Sequence, residues 1–144
     1  MDYESTVLCS SDAFEGVTYR LHRMSFGRRL DLLERIRTKL TRLEFLSAGD
    51  QAVDEQAEAA QVAAEIDREY LVWGLAEIDG LSIDGAAVDV QTLVEKGPEE
   101  LVAEVLKQIR RSAGLSEDER KNSNSHSTSA SEIHPGGAAS NAAI

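Results

Sequence analysis

Three aspartates fall five residues apart in "DGLSIDGAAVD", at Asp79, Asp84 and Asp89, with glycines at 80 and 85. Oxygen ligands around a glycine-bearing turn are what a calcium loop needs. Such a loop, however, wants ligands at alternate positions and a bidentate glutamate at its twelfth. Leu81, Ile83 and Ala87 stand where ligands would have to be. Asp-Gly pairs also supply positive φ and a capping oxygen for two successive turns, and the sequence favours that reading; no metal site is expected. A second pairing, Cys9 with His22, places a thiol and an imidazole in one predicted hairpin. A nucleophile pair needs a third group to orient the base, and none can be assigned. His126 and His134 lie in a polar C-terminal stretch, at no ligand spacing. The chain has no glycine-rich phosphate loop, no G-x-S-x-G and no carboxylate pair in an apolar setting. The expectation is a protein with no catalytic residue, no cofactor and no enzymatic activity.

The basic residues suggest a different chemistry. Arg28, Arg35 and Arg42 recur every seven residues, joined by Arg29, Arg37 and Lys39, and such a row could follow a phosphate backbone. Asp31 and Glu34 interrupt it, and it has no interleaved aromatic residues for stacking on bases. The charge balance also opposes it. The net charge is −11, and residues 49–104 hold 2 basic against 15 acidic side chains, whereas residues 1–48 hold 8 against 7. An acidic middle repels nucleic acid and limits self-association. Nucleic acid is therefore an unfavoured partner.

These groups must be positioned by a small fold. The 144 residues suit one domain with a tail. A single cysteine excludes an internal disulfide and fits a reducing compartment. No apolar run is long enough to cross a membrane, and "MDYESTVLCSSD" lacks the layout of a signal peptide. The expectation is a soluble, intracellular protein.

Residues 4–23 read as a β-hairpin: "STVLC" and "VTYRLHR" flank the turn-forming "SSDAFEG", and Val17, Tyr19 and Leu21 alternate with polar neighbours. Ser25 caps a helix over about 25–47, with a stripe of Phe26, Leu30, Leu33, Ile36, Leu40, Leu43 and Leu46. A second helix is predicted over 50–79. One apolar stripe on it holds Val53, Ala57, Ala60, Ala64 and Leu71, and an adjoining one holds Ile66, Tyr70 and Trp73. The basic face of the first helix would meet Glu55, Glu58 and Glu65 of the second. A tight turn or small hairpin and a helical turn around Gln91–Glu95 follow. Pro98 then opens a helix over 98–113, with Glu99 and Glu100 at its positive end and Arg110 and Arg111 at its negative end. The fold class is mainly α (α+β), a hairpin packed on three to four helices. The domain would span 1–122. The Ser/Ala/Gly/Asn-rich residues 123–144 are expected to be disordered.

Tyr70, Leu71 and Trp73 make the helix apolar almost all round, which is the mark of a core segment, or alternatively of a docking surface for a partner helix.

Two stretches resemble tail assembly chaperones of long-tailed bacteriophages and prophages. "VTYRLHRMSFGRRLDLLERI" is similar to their opening strand pair and first helix. "YLVWGLAEIDGLSIDGAAVDVQTLVEKGPEELVAEVLKQI" is similar to their tryptophan-bearing helix, aspartate–glycine turn and closing leucine-bearing helix. The likeness is one of layout over residues 4–125. It implies transient binding of the long, helical tape measure protein in the cytoplasm of the bacterial host, with the tail tube protein as a second candidate partner and self-association left open. The expected contact surface is the apolar face of the first two helices: Leu30, Leu33, Ile36, Leu40, Tyr70 and Leu71, with Trp73 in support. Two alternatives stand beside it. One is a structural tail or head-completion component retained in the virion; the other is a nucleic-acid-binding regulator using the arginines of the first helix.

Overall fold

The structure, a computed structural model, describes residues 1–49 and 52–114. The predicted tail at 123–144 and the end of the predicted domain at 115–122 lie outside the described residues. The elements run in the order β1 (Thr6–Ser10), β2 (Thr18–His22), α1 (Phe26–Ser47), α2 (Val53–Gly74), β3 (Leu75–Asp79), β4 (Ser82–Ile83), β5 (Ala86–Ala87), α3 (Val90–Lys96) and α4 (Glu99–Ala113). A hairpin followed by four helices is the mainly helical α+β architecture expected. Pro98 precedes the last helix, its carbonyl accepting from Val102 N at 3.1 Å.

The hairpin forms as its alternation requires. β1 and β2 pair antiparallel from Thr6↔His22 to Ser10↔Thr18. Val17, Tyr19 and Leu21 are buried, and Thr18, Arg20 and His22 occupy the more open face. A two-stranded ribbon is marginal in water, and a third strand completes it in order β1-β2-β3. That strand corrects the predicted extent of the second helix, which stops at Gly74 rather than near Asp79. Pairing with β2 satisfies backbone groups that would otherwise leave β2 an open edge, and it outweighs the helix propensity of "LAEID".

The register explains how this segment could read as helical. Tyr19 faces Ile78 and Arg20 faces Glu77, but Leu21 faces Leu75, so Ala76 is an extra residue. This bulge turns both Leu75 and Ile78 inward, 3% and 7% exposed, although an odd separation in a regular strand would put them on opposite faces. At the end of β3, Gly80 has φ of +84°, and a Cβ there would lie 2.2 Å from Gly16 O. Only glycine fits where the strand end crosses the hairpin loop.

α2 is the central helix, packed against α1, α3 and α4. Its buried face is Val62, Ile66, Tyr70, Leu71, Trp73 and Gly74. Of the two predicted stripes, the one through Ile66, Tyr70 and Trp73 enters the core. Of the other stripe only Leu71 is buried, and Val53, Ala57, Ala60 and Ala64 are exposed; the alanines remove far less apolar area from water than large side chains do. Gly74 sets the approach of α4: a Cβ there would meet Ile109 Cγ2 at 2.6 Å. Leu101, Val105, Ile109 and Ala113 form the buried stripe of α4, and the core closes over Leu93 of α3.

Candidate functional site

α1 begins at Ser25, whose side-chain oxygen accepts from Arg28 N at 3.3 Å. Its first turns are tied to the end of α2 by two reciprocal bonds. Trp73 Nε1 donates to Arg28 O at 2.9 Å, and the Arg28 guanidinium donates to Trp73 O. That guanidinium also lies over the indole ring, 4.9 Å from its centroid. Burial pushes the Arg28 pKa below its usual value, with Asp31 opposing the shift and Arg35 adding to it. Burial, and then the charge of Arg28, push the His22 imidazole down as well.

Further along, the basic side of α1 meets α2 in antiparallel fashion. Arg35 and Lys39 both reach Glu69 at 3.4 Å, Arg35 also bonds Asp31 at 3.0 Å, and Arg42 bonds Glu58 at 2.6 Å. The hydrogen bond to Asp31 is the main cause of the raised pKa of Arg35. Of the acidic partners expected from sequence, Glu58 takes part, and Glu69 does what was assigned to Glu55 and Glu65. These pairs are exposed or only part-buried and contribute about 0–1 kcal/mol each, so they orient the hairpin of helices more than they hold it. They also commit Arg35, Lys39 and Arg42 internally, and Arg28 is committed to Trp73. Of the six basic side chains of α1, Arg29 and Arg37 have no ion-pair partner among the described residues.

With its basic side occupied, α1 divides its apolar residues between two faces. Leu32, Ile36 and Leu46 are buried. Phe26, Leu30 and Leu33 are 83%, 54% and 41% exposed. Their four-then-three spacing keeps these three within a narrow arc of about 60°, and Leu40, half-buried, lies at the edge of it. The seven residues singled out from sequence are therefore not one surface. Leu30 and Leu33 are on the outside and Leu40 is between. Ile36, Tyr70, Leu71 and Trp73 are in the interior, each at most 4% exposed. Phe26 belongs with Leu30 and Leu33 by the same periodicity that identified them.

The groups considered for metal or nucleophilic chemistry have other roles. Asp84 and Gly85 have φ of +52° and +81° between β4 and β5, the signature of a two-residue type I′ turn. Asp89 caps α3, accepting from Thr92 Oγ1 at 2.7 Å and Thr92 N at 2.8 Å, and these bonds lower its pKa. Asp79 ends β3. Among the described residues no three His, Cys, Asp or Glu side chains are grouped to hold a metal ion. Cys9 stands opposite Tyr19, and His22 opposite Thr6 at the other end of the hairpin, so the two are not brought together. Burial, and then Glu104, push the Cys9 thiol up, away from the thiolate.

Glu104 is a polar centre that the sequence did not indicate, because its partners are more than ninety residues away. From α4 its Oε1 accepts from Asp12 N at 2.8 Å, Ala13 N at 2.9 Å and Ser11 Oγ at 3.2 Å. Its Oε2 is buried with no partner of good hydrogen-bond geometry, although the Tyr19 hydroxyl is near enough to interact with the carboxylate. Burial opposes ionisation of Glu104, but the bonds from Ala13, Asp12 and Ser11 outweigh it and hold the carboxyl below its usual range. The same burial and the Glu104 charge push the Tyr19 hydroxyl up. This arrangement pins the hairpin loop to α4. With three donors of the loop turned onto one carboxylate oxygen, it acts as a structural clasp.

Among the described residues, no helix is long and apolar enough to cross a membrane. What stands out for recognition is the outward apolar face at the start of α1, held in place by Trp73. Compared with known protein families, with curated proteins and with solved structures, the chain matches none of them.

Proposed function

We propose that the protein is a non-enzymatic binding protein that receives an amphipathic helix on the outward face of α1, and that it serves as a tail assembly chaperone for a tape measure protein. The observation that carries the binding reading is the exposure of Phe26, Leu30 and Leu33 on one arc of a well-anchored helix. Large apolar side chains at this spacing match the anchors of helix-in-groove and helix-on-helix recognition. The acidic remainder of the chain keeps it soluble while it presents such a face. The identity of the partner rests on the resemblance of the sequence layout to tail assembly chaperones, which implies the long, helical tape measure protein, with the tail tube protein as the second candidate. On this reading Trp73 supports the contact surface from beneath by fixing the first turns of α1, and Leu30, Leu33 and Leu40 touch the partner.

The direct experiment is co-expression with fragments of a tape measure protein, comparing the natural chain with Leu30→Asp/Leu33→Asp. The natural chain should hold the fragments in a soluble complex and the variant should not. Mass spectrometry of purified virions separates a chaperone, absent from them, from a retained tail or head-completion component. A gel shift at low salt should show no binding of nucleic acid, since four of the six basic side chains of α1 are engaged within the fold.

A further inference from the structure

We propose that the outward face of α1 also pairs with the same face of a second copy of this chain, the two helices side by side and parallel. Phe26, Leu30 and Leu33 are spaced four and then three residues apart, as in a coiled-coil seam, and all three are exposed. Arg29 and Glu34 lie on the two flanks of that seam, the positions from which paired helices exchange ion pairs. Neither side chain has an ion-pair partner among the described residues, in contrast to Arg35, Lys39 and Arg42 on the neighbouring side of the helix.

Their five-residue offset selects the orientation. In a parallel pair, a residue on one flank faces the residue five further on across the seam, so Arg29 of each copy meets Glu34 of the other. In an antiparallel pair each flank meets its own kind, which brings acidic beside acidic and basic beside basic. Long-range charge favours the same face. Residues 49–104 carry 15 acidic against 2 basic side chains and repel a second copy, whereas residues 1–48 are near balance. The next seam position is Arg37, exposed, and two copies would set these guanidinium groups against each other before Leu40 could join. A charged residue at that position weakens a pair while it fixes its register. The pairing is therefore short and concentration-dependent. Where the partner reading given above holds, on which this one consequence rests, self-pairing and partner binding exclude each other.

Sedimentation equilibrium of the full chain alone tests the pairing with no partner present, so its failure leaves the partner reading standing. The natural chain should form dimers as concentration rises. Arg37→Leu should tighten them by about tenfold or more by adding Leu40 to the seam. Arg29→Glu or Glu34→Arg alone should weaken them by roughly three- to tenfold, and the double exchange should restore them. All three positions are at the surface, Arg29 half-buried and Glu34 and Arg37 exposed, and circular dichroism should be unchanged. A natural chain that stays monomeric at every concentration reached overturns the proposal, as does a dimer indifferent to the single charge reversals.

Discussion

The start of α1 and the end of α2 are built from the same kinds of residue and end up in opposite environments. Phe26, Leu30 and Leu33 face out, while Tyr70, Leu71 and Trp73 face in. α2 is surrounded by α1, α3 and α4 and runs without a loop into β3, so nearly every direction around its last turn meets another element. α1 is covered mainly by α2, and a helix with one main neighbour can bury only one stripe. Composition thus marks both segments as apolar, but the number of neighbours decides which is core and which is surface. Trp73 links the two, being buried in one region and bonded to the backbone of the other through Arg28 O.

The contrast can be broken most severely at Trp73. Trp73→Ala should cost about 3–5 kcal/mol of stability in urea denaturation, from lost burial and a cavity between α1 and α2. Gly74→Ala should cost about 1–3 kcal/mol, because a Cβ 2.6 Å from Ile109 Cγ2 forces α4 away from α2. Glu104→Gln removes a charged acceptor from two backbone N–H groups and should cost about 1–2 kcal/mol at neutral pH. The pH dependence has a definite sign. The folded-state pKa of Glu104 is depressed below 4.5, so its contribution is present above that pH and is lost as pH falls through the folded value. A urea titration series should therefore show the natural chain losing its advantage over Glu104→Gln as pH drops below about 4.5. The smallest effect on folding is expected on the outward face, where Leu30→Asp/Leu33→Asp should shift stability by under about 1 kcal/mol.

Much of the layout was legible from local patterns. The alternation of Val17, Tyr19 and Leu21, the Ser25 cap, the Asp84–Gly85 turn and the apolar stripe of α4 are each specified within a few residues. What escaped is non-local. β3 lies inside the helix predicted over 50–79, where Leu71, Leu75 and Ile78 happen to keep helical spacing. In the fold the last of these spacings is produced by a bulge at Ala76, which depends on pairing with β2 more than fifty residues earlier. The α1 stripe was read as one surface because periodicity marks which residues are apolar without saying how many helices pack against them. Glu104 carried no signal at all, since a carboxylate on the side of a helix looks like any solvated charge until the hairpin loop is placed above it.

The central claim is that the outward face of α1 recognises a partner helix while the Trp73 cluster only supports it. Titration of the full chain with a helical tape measure fragment, followed by isothermal calorimetry, tests this most directly when the natural chain and Leu30→Asp/Leu33→Asp are compared at equal helix content. Saturable binding by the natural chain, lost in the variant without loss of fold, is the predicted result. Equal binding by both proteins, or none by the natural chain, would contradict the claim.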